Sequence, residues 1–174
     1  EVNNSIKRRM LADVTVGAYL SGGVDSSLIA AITSKYSEGS VNTYTIGFPE
    51  LNEFEYARLV ADRYKTNHHE IVMDEVDYFK MMEEIIKYKD APLGVPNEIP
   101  LAQMSQVLKR DITVVLSGEG ADELLGGYGK IFRSPFDFVN VDKNKKDDFY
   151  SYFIEKYEYV PRSIRNKYLK CKYP

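Results

Sequence analysis

The sequence predicts an α/β protein with a doubly wound parallel sheet in three layers. Four short apolar segments, rich in β-branched residues, alternate with segments whose apolar residues repeat at helical spacing. Two of the apolar segments run directly into turns that are rich in glycine and acidic residues. Strands separated by helices of this length form a parallel sheet that is covered by helices on both faces.

The first half of the chain supplies two of these strand–helix units. Residues 1–9 are predicted to be helical and to lead into a first strand at 14–20. Val24, Leu28 and Ile32 then form one apolar face, which predicts a helix over 24–37. A second strand is predicted at 41–47, followed by a helix over 53–65 with an apolar stripe from Phe54 to Tyr64.

The second half repeats the alternation as far as residue 116. A third strand is predicted at 69–73, and a helix over 77–89 carries Phe79, Met82 and Ile86 on one face. Asn97 and Pro100 suit the start of a helix over 99–109, and the fourth strand is predicted at 112–116.

Composition restricts the class of partner and the compartment. A length of 174 residues is enough for one α/β domain with a sizeable core. The net charge of −3 gives no general attraction to nucleic acid or to anionic membranes, and no apolar run is long enough to cross a bilayer. Cys171 is the single cysteine, so the chain has no internal disulfide. These features predict a cytoplasmic protein that binds neither nucleic acid nor membrane.

The turn at residues 21–27, Ser-Gly-Gly-Val-Asp-Ser-Ser, has the composition of an anion-binding loop. It lies between the first predicted strand and a helix N-terminus, where unpaired N–H groups and the helix dipole favour negative charge. Gly22 and Gly23 allow the backbone to approach a ligand, and the serines can add hydroxyl donors. Asp25 can hold a divalent ion against phosphate oxygens. The loop lacks the Gly-Lys-Ser/Thr of a Walker motif.

A second turn, residues 117–128, follows the fourth strand and reads Ser-Gly-Glu-Gly-Ala-Asp-Glu-Leu-Leu-Gly-Gly-Tyr. Open α/β sheets bind their ligands at such carboxyl ends of strands. Glu119 and Asp122 would repel each other there unless a cation or a reacting group lay between them.

Both turns resemble those of a known family. The first resembles the pyrophosphate loop of the N-type ATP pyrophosphatases, and the second resembles the signature of glutamine-dependent asparagine synthetases. Leu125 stands where that signature usually has phenylalanine. Residues 43–48 and 67–70 are similar to further strands of the family, so the resemblance covers about residues 1–130.

The resemblance implies a fold of the adenine nucleotide alpha hydrolase-like type and the use of ATP and Mg²⁺. A carboxylate, aspartate in the commonest case, would become an acyl-adenylate with release of pyrophosphate, and ammonia would then displace AMP. The loop residues would bind the pyrophosphate: Ser21, Gly22, Gly23, Asp25, Ser26 and Ser27. The adenine and ribose would lie against Leu20, Ile46, Ser117 and Gly118. Asp25 and Asp122 would hold magnesium, and Glu119 would act in acyl-adenylate formation and in taking a proton from ammonia.

The same resemblance predicts the domain organisation. Residues 1–130 would form the synthetase domain, and residues 131–174 would begin a helical C-terminal region that is cut short. The glutaminase domain that supplies ammonia in this family would be a partner in the full-length chain, since position 1 is Glu rather than the nucleophilic cysteine. The family's catalytic lysine segment has no match in residues 131–174, so an ATP-binding fragment without activity is an alternative. A homodimer is a further open alternative.

Several alternatives concern the substrate and the ligands. The segment 92–100 contains no arginine, unlike the aspartate-recognition stretch of one well-known branch, so a sugar acid or the precursor of a β-lactam ring is a second candidate. The second signature disfavours GMP synthetase, NAD synthetase and tRNA-thiolating enzymes.

The basic segment 162–172 could be a nucleic-acid patch, but a helix that packs on further helices is the preferred interpretation, as it is for the aromatic stretch 149–159. Metal binding by His68 and His69 is disfavoured because neighbours on a strand point to opposite faces.

Overall fold

The computed structural model describes residues 1–141, 148–158 and 160–168, and divides the chain into two compact units, Glu1–Glu119 and Gly120–Pro174. Cys171 lies outside the described residues, as do most of the charge run at 142–148 and the end of the basic segment. The domain boundary near residue 130 stays a prediction.

The first unit contains four strands and five helices. The strands are β1 (Val16–Tyr19), β2 (Asn42–Gly47), β3 (Asn67–Val72) and β4 (Val114–Leu116). The helices are α1 (Val2–Arg9), α2 (Val24–Tyr36), α3 (Phe54–Tyr64), α4 (Glu75–Lys89) and α5 (Glu98–Leu108). The predicted strands and helices of this unit are confirmed, with ends that shift by at most two residues.

The four strands form one parallel sheet in the order β3-β2-β1-β4, which confirms the predicted fold class. The chain builds the sheet outward from β1 through β2 to β3, and it then returns to place β4 on the other side of β1. Ala18 of β1 is therefore paired with both Thr43 and Leu116. The direction of winding reverses between β1 and β4, and ligands of open α/β sheets bind at such a reversal.

Side chains of the strands pack against helices on both faces of the sheet. On one face Leu20 packs against residues of α2 and α3, and Ala18 and Leu116 pack against Ile6 of α1 and the inner side of α2. On the other face Tyr44 of β2 packs against Met104 and Leu108 of α5. Met73, which follows β3, packs there against Met81 of α4 and Ile99 of α5. These two helix layers and the sheet are the three predicted layers.

Two polar interactions stabilise the sheet layers. The buried Tyr44 hydroxyl donates to Asp111 Oδ2 at 3.2 Å, and burial together with this carboxylate raises the pKa of Tyr44 to about 12. Arg58 on α3 makes two hydrogen bonds of 2.6 Å to the Glu70 carboxylate on β3. This bidentate pair ties the edge strand to the helix layer above it.

The second unit is helical over its described residues, with α6 (Ala121–Leu125), α7 (Gly129–Val139), α8 (Phe149–Tyr157) and α9 (Arg162–Tyr168). The predicted helix in the aromatic stretch is confirmed up to Tyr157. Phe138 of α7 lies 5.4 Å from the ring of Phe149 and 5.3 Å from that of Tyr152, so aromatic contacts join α7 to α8. None of the described helices in either unit is long and apolar enough to cross a membrane.

Candidate functional site

The loop between β1 and α2 adopts a conformation that depends on its first glycine. Gly22 has a φ of +86°, a region that residues with a side chain seldom adopt. It also lies against the start of α3, where a Cβ atom at Gly22 would stand 2.7 Å from the carbonyl carbon of Tyr56 and 2.8 Å from the nitrogen of Ala57. Glycine is therefore required at this position for two independent reasons.

Gly23 is the N-cap residue of α2, and no side chain caps the helix there. The first intrahelical bond is donated by Ser27 N to Gly23 O at 3.0 Å, so the N–H groups of Val24, Asp25 and Ser26 lack partners within the helix. These groups and the helix dipole both favour an anion at the loop. The local geometry therefore matches the anion-binding loop that the sequence predicts.

The hydroxyl groups of Ser21 and Ser26 form hydrogen bonds within the loop. Ser26 Oγ donates to Gly23 O at 3.1 Å and accepts from Ser21 N at 3.2 Å. Ser21 Oγ lies 3.0 Å from Ser26 Oγ and accepts from Gly23 N at 3.2 Å. Because Ser26 donates its proton to Gly23, the bond between the hydroxyls uses the proton of Ser21. Both hydroxyl protons thus stabilise the loop in this structure.

Ser27 differs from the other two serines. Its Oγ is buried, and it has no hydrogen-bond partner among the described residues. A buried hydroxyl without a partner carries an unfavourable desolvation cost that a ligand acceptor would relieve. Of these three serines, Ser27 is therefore the one whose hydroxyl proton is not used within the loop.

The loop after β4 lies directly against the first turn of α2. A Cβ atom at Gly118 would stand 3.0 Å from Asp25 Cβ and 3.2 Å from Ser26 N, which leaves little space for any side chain at position 118. Ser117 Oγ accepts from Glu119 N at 3.3 Å, and the Glu119 side chain is exposed. The structure thus brings Ser117, Gly118 and Glu119 to the same end of the sheet as the anion-binding loop.

Leu20 and Ile46, predicted to flank a nucleotide base, have side chains on opposite faces of the sheet. The Leu20 side chain is wholly buried with Ala57 and Ala61, and its N–H donates to Tyr44 O at 2.9 Å. Ile46 packs on the other face against the core formed with α4 and α5. Leu20 is fully buried, its backbone included, so its contact with a base stays a prediction.

Asp122 belongs to the second unit, where it starts the short helix α6. Its carbonyl oxygen accepts from Gly126 N and from Gly127 N, both at 3.0 Å. Gly120 and Gly126 on either side have φ values of +87° and +76°, which explains the glycines of this signature. The pairing of Asp122 with Asp25 around a metal ion stays a prediction.

The donor set suits magnesium better than it suits a transition metal. Among the described residues, no group of three or more His, Cys, Asp and Glu side chains could hold a metal ion by itself. Mg²⁺ is commonly bound through one or two carboxylates and the phosphates of a substrate, and the Asp25 carboxylate makes no hydrogen bond or ion pair with the described residues. Its carboxylate beside the open N–H groups therefore fits an ion that arrives with a nucleotide.

The two histidines point away from each other, as predicted. His68 Nδ1 lies 2.9 Å from Thr43 Oγ1, and its buried Nε2 has no hydrogen-bond partner among the described residues. His69 instead stacks on Tyr44, with 4.7 Å between ring centroids. The geometry gives no support to a shared metal.

Comparisons with known proteins agree with the sequence resemblance. The family model described as asparagine synthase matches residues 1–172. A putative glutamine-hydrolyzing asparagine synthetase of Mycobacterium bovis is 33% identical over 175 residues, which cover 99% of this chain and 24% of that protein. The glutamine-hydrolyzing asparagine synthetase 1 of Bacillus subtilis is 36% identical over 136 residues, or 77% of this chain and 21% of that protein.

Solved structures share the fold at lower identity. The NH3-dependent NAD synthetase of Campylobacter jejuni has a TM-score of 0.50 at 19% identity, covering 75% of this chain and 58% of that one. The NMN synthetase of Francisella tularensis has a TM-score of 0.50 at 14% identity, covering 72% and 56%. Their fold is that of the adenine nucleotide alpha hydrolase-like proteins. The chain spans about a quarter of the length of the synthetases that it matches in sequence.

Proposed function

This chain belongs to the asparagine synthase family, and on that premise we propose that it activates a carboxylate with ATP for conversion to an amide. The carboxylate oxygen attacks the α-phosphorus of ATP, and the bond from that phosphorus to pyrophosphate breaks. Ammonia then attacks the acyl carbon of the adenylate, and AMP leaves with the pair of electrons of the broken C–O bond. The net products are an amide, AMP and pyrophosphate.

The observation that carries the proposal is the contact of Gly118 with the first turn of α2. It joins two glycine-rich loops from neighbouring strands, β1 and β4, at the point where the sheet reverses its winding. Open α/β sheets bind nucleotides at such a reversal, with the phosphates on a helix N-terminus. The base and the reacting α-phosphate then lie between the two loops.

Each residue that the proposal uses has a chemical role in the reaction. The N–H groups of the first turn and the Ser27 hydroxyl bind the β- and γ-phosphates, which become the leaving group. Asp25 and Asp122 would hold Mg²⁺, which offsets the charge that develops on the departing pyrophosphate. The serines at 21 and 26 hold the loop in its binding conformation.

Glu119 is the proposed base of the second half of the reaction. Its carboxylate is exposed beside the nucleotide loops, and its backbone N–H is held by Ser117. Attack by ammonia leaves a positively charged nitrogen, and a carboxylate nearby can accept the surplus proton.

Aspartate is the proposed carboxylate substrate, with asparagine as the product. The relatives at 33% and 36% identity carry the name asparagine synthetase, and they are also named glutamine-hydrolyzing. We therefore propose glutamine as the ammonia source, a glutaminase domain as the partner, and the cytoplasm as the place of action. The absence of arginine in residues 92–100 keeps a sugar acid or another carboxylate as the second candidate.

The test is AMP release by the intact protein with ATP, Mg²⁺, ammonia and one of several carboxylates. Aspartate should give AMP, pyrophosphate and asparagine in equal amounts, with little AMP when the carboxylate is omitted. Formation of ADP would contradict cleavage at the α-phosphorus. Equal AMP formation from a different carboxylate, with none from aspartate, would replace the substrate but keep the reaction.

A further inference from the structure

The first turn of α3 lies directly against the anion-binding loop. Gly22 of the loop packs on the backbone of Tyr56 and Ala57, where a Cβ atom at position 22 would stand 2.8 Å from Ala57 N. Ala57 also belongs to the core cluster of the buried Leu20 side chain, which precedes the loop. Because these two contacts lie on either side of Ser21, a shift of α3 would change the conformation of the loop.

The side chain of Asn52 fixes the place where α3 begins. Its Nδ2 group donates to Phe48 O at 3.0 Å and to Pro49 O at 3.3 Å. Its Oδ1 atom accepts from the N–H of Phe54 at 3.3 Å, and Phe54 is the first residue of α3. The amide therefore links the turn at 48–52 to an N–H group that has no acceptor within the helix.

The other hydrogen bonds that the structure describes in this turn do not reach α3. Phe48 and Leu51 exchange two backbone hydrogen bonds, of 2.9 and 3.2 Å, within the turn itself. Glu53, the N-cap residue of α3, makes no capping hydrogen bond with its side chain. Among the described side chains, that of Asn52 alone is hydrogen-bonded both to the turn and to the helix.

The turn is also packed on the end of β2. A Cβ atom at Gly47, the last residue of that strand, would stand 3.1 Å from Asn52 Cα and 3.3 Å from Cζ of the buried Phe54. Asn52 thus lies between the last residue of β2 and the first residue of α3. Loss of its amide would leave the start of α3 free to shift relative to the sheet.

We propose that Asn52 is a positioning residue for ATP, which holds the first turn of α3 against the anion-binding loop and so keeps the loop in its phosphate-binding conformation. The inference rests on the proposed function and adds to it a residue outside the loop. The N–H groups at the start of α2 bind phosphate effectively only when the loop is held in one conformation. Asn52 acts through α3 rather than on the nucleotide.

The test uses the intact protein with Asn52→Ala and Asn52→Asp, and with Asn3→Ala as the matched control. Asn3 likewise has an exposed side chain with a hydrogen bond, to the Tyr36 hydroxyl at 2.9 Å, but Tyr36 lies at the end of α2 opposite to the loop. The first measurement is hydrogen exchange at the amides of Ser21 and Gly23, which needs no substrate. The second is the KM for ATP, the KM for aspartate and kcat, from pyrophosphate release with free ammonia.

Asn52→Ala should speed exchange at both amides and raise the KM for ATP, each roughly three- to thirtyfold. The values of kcat and of the KM for aspartate should stay within about twofold, since a loop that is competent only part of the time weakens the apparent affinity for ATP and leaves the bound complex unchanged. Asn52→Asp keeps the acceptor for Phe54 N but places a charge beside two carbonyl oxygens, so it should lose as much as Asn52→Ala. Asn3→Ala should match the wild type in both measurements.

Two outcomes would overturn the proposal. Unchanged exchange at the amides of Ser21 and Gly23 in Asn52→Ala would show that the loop does not depend on the turn before α3. A KM for ATP that stays at the wild-type value, or that rises no more than the KM for aspartate, would show that Asn52 does not serve the nucleotide. Failure of the proposed function is distinguishable, because the wild type would then release no pyrophosphate with any carboxylate while the exchange measurement still reports on the loop.

Discussion

Gly118 approaches Asp25 so closely that a Cβ atom on the glycine would lie 3.0 Å from that of the aspartate. This contact joins two loops that are more than 90 residues apart in the chain. It also fixes the distance between the residues that follow β4 and the first turn of α2.

Gly118→Ala should lower kcat/KM for ATP by roughly ten- to a hundredfold, because the added methyl group must push α2 and the loop after β4 apart. Gly39→Ala is the control, since a Cβ atom there meets nothing within 4 Å. The measurement is the rate of pyrophosphate release as a function of ATP concentration. A loss as large in Gly39→Ala would point to general instability instead.

Asp25→Asn and Asp122→Asn should each lower magnesium-dependent pyrophosphate formation by roughly 10²- to 10³-fold, since each removes a charge from the proposed metal site. Asp62→Asn on the exposed side of α3 removes the same charge away from the site. Circular dichroism and thermal unfolding should be unchanged in all three. Near-normal activity in either of the first two variants would show that the metal assignment is wrong for that residue.

Glu119→Gln should leave ATP binding intact and remove most amide formation, because the amide keeps the shape of the carboxylate but accepts no proton. Binding is measured by titration with ATP, and turnover by amide and AMP release. If ATP binding weakened while turnover at saturating ATP stayed normal, Glu119 would be a nucleotide ligand rather than a base.

His68 should make stability depend on pH, because burial lowers the pKa of its imidazole below 6.5 and Glu70 opposes this only in part. The folded state then binds fewer protons than the unfolded chain. The stabilising contribution is present above about pH 6.5, and it is lost as the pH falls toward the lower folded-state pKa. Urea titrations between pH 8 and pH 5 should show that His68→Gln flattens this decline.

His69→Gln is the control for that experiment, since it keeps His68 in its buried position. The decline in unfolding free energy should persist in this variant. A decline of the same size in wild type and in His68→Gln would assign the pH dependence to other groups, such as the carboxylates around Arg58.

The order of elements could be predicted from local pattern because each strand and helix of the first unit has a clear apolar period. Local pattern predicts the start of β3 two residues late, since Asn67 and His68 are polar and join the sheet through pairing with Asn42 and Thr43. The sequence predicts a helical region after residue 130, but not the bounds of α7 and α9 within it. Pro135 lies inside α7, and three of the seven residues of α9 are basic.

The sequence by itself determined the class of fold, the two glycine-rich loops and the family, because glycine, serine and acidic residues at strand ends have few other uses. Only the tertiary structure decided that Leu20 and Ile46 face opposite sides of the sheet and that Gly118 lies against Asp25. It also decided that Asn52 links the turn after β2 to the start of α3. These relationships depend on strand order and on how closely the backbone of one segment approaches a side chain of another. Neither follows from the spacing of apolar residues within a single segment.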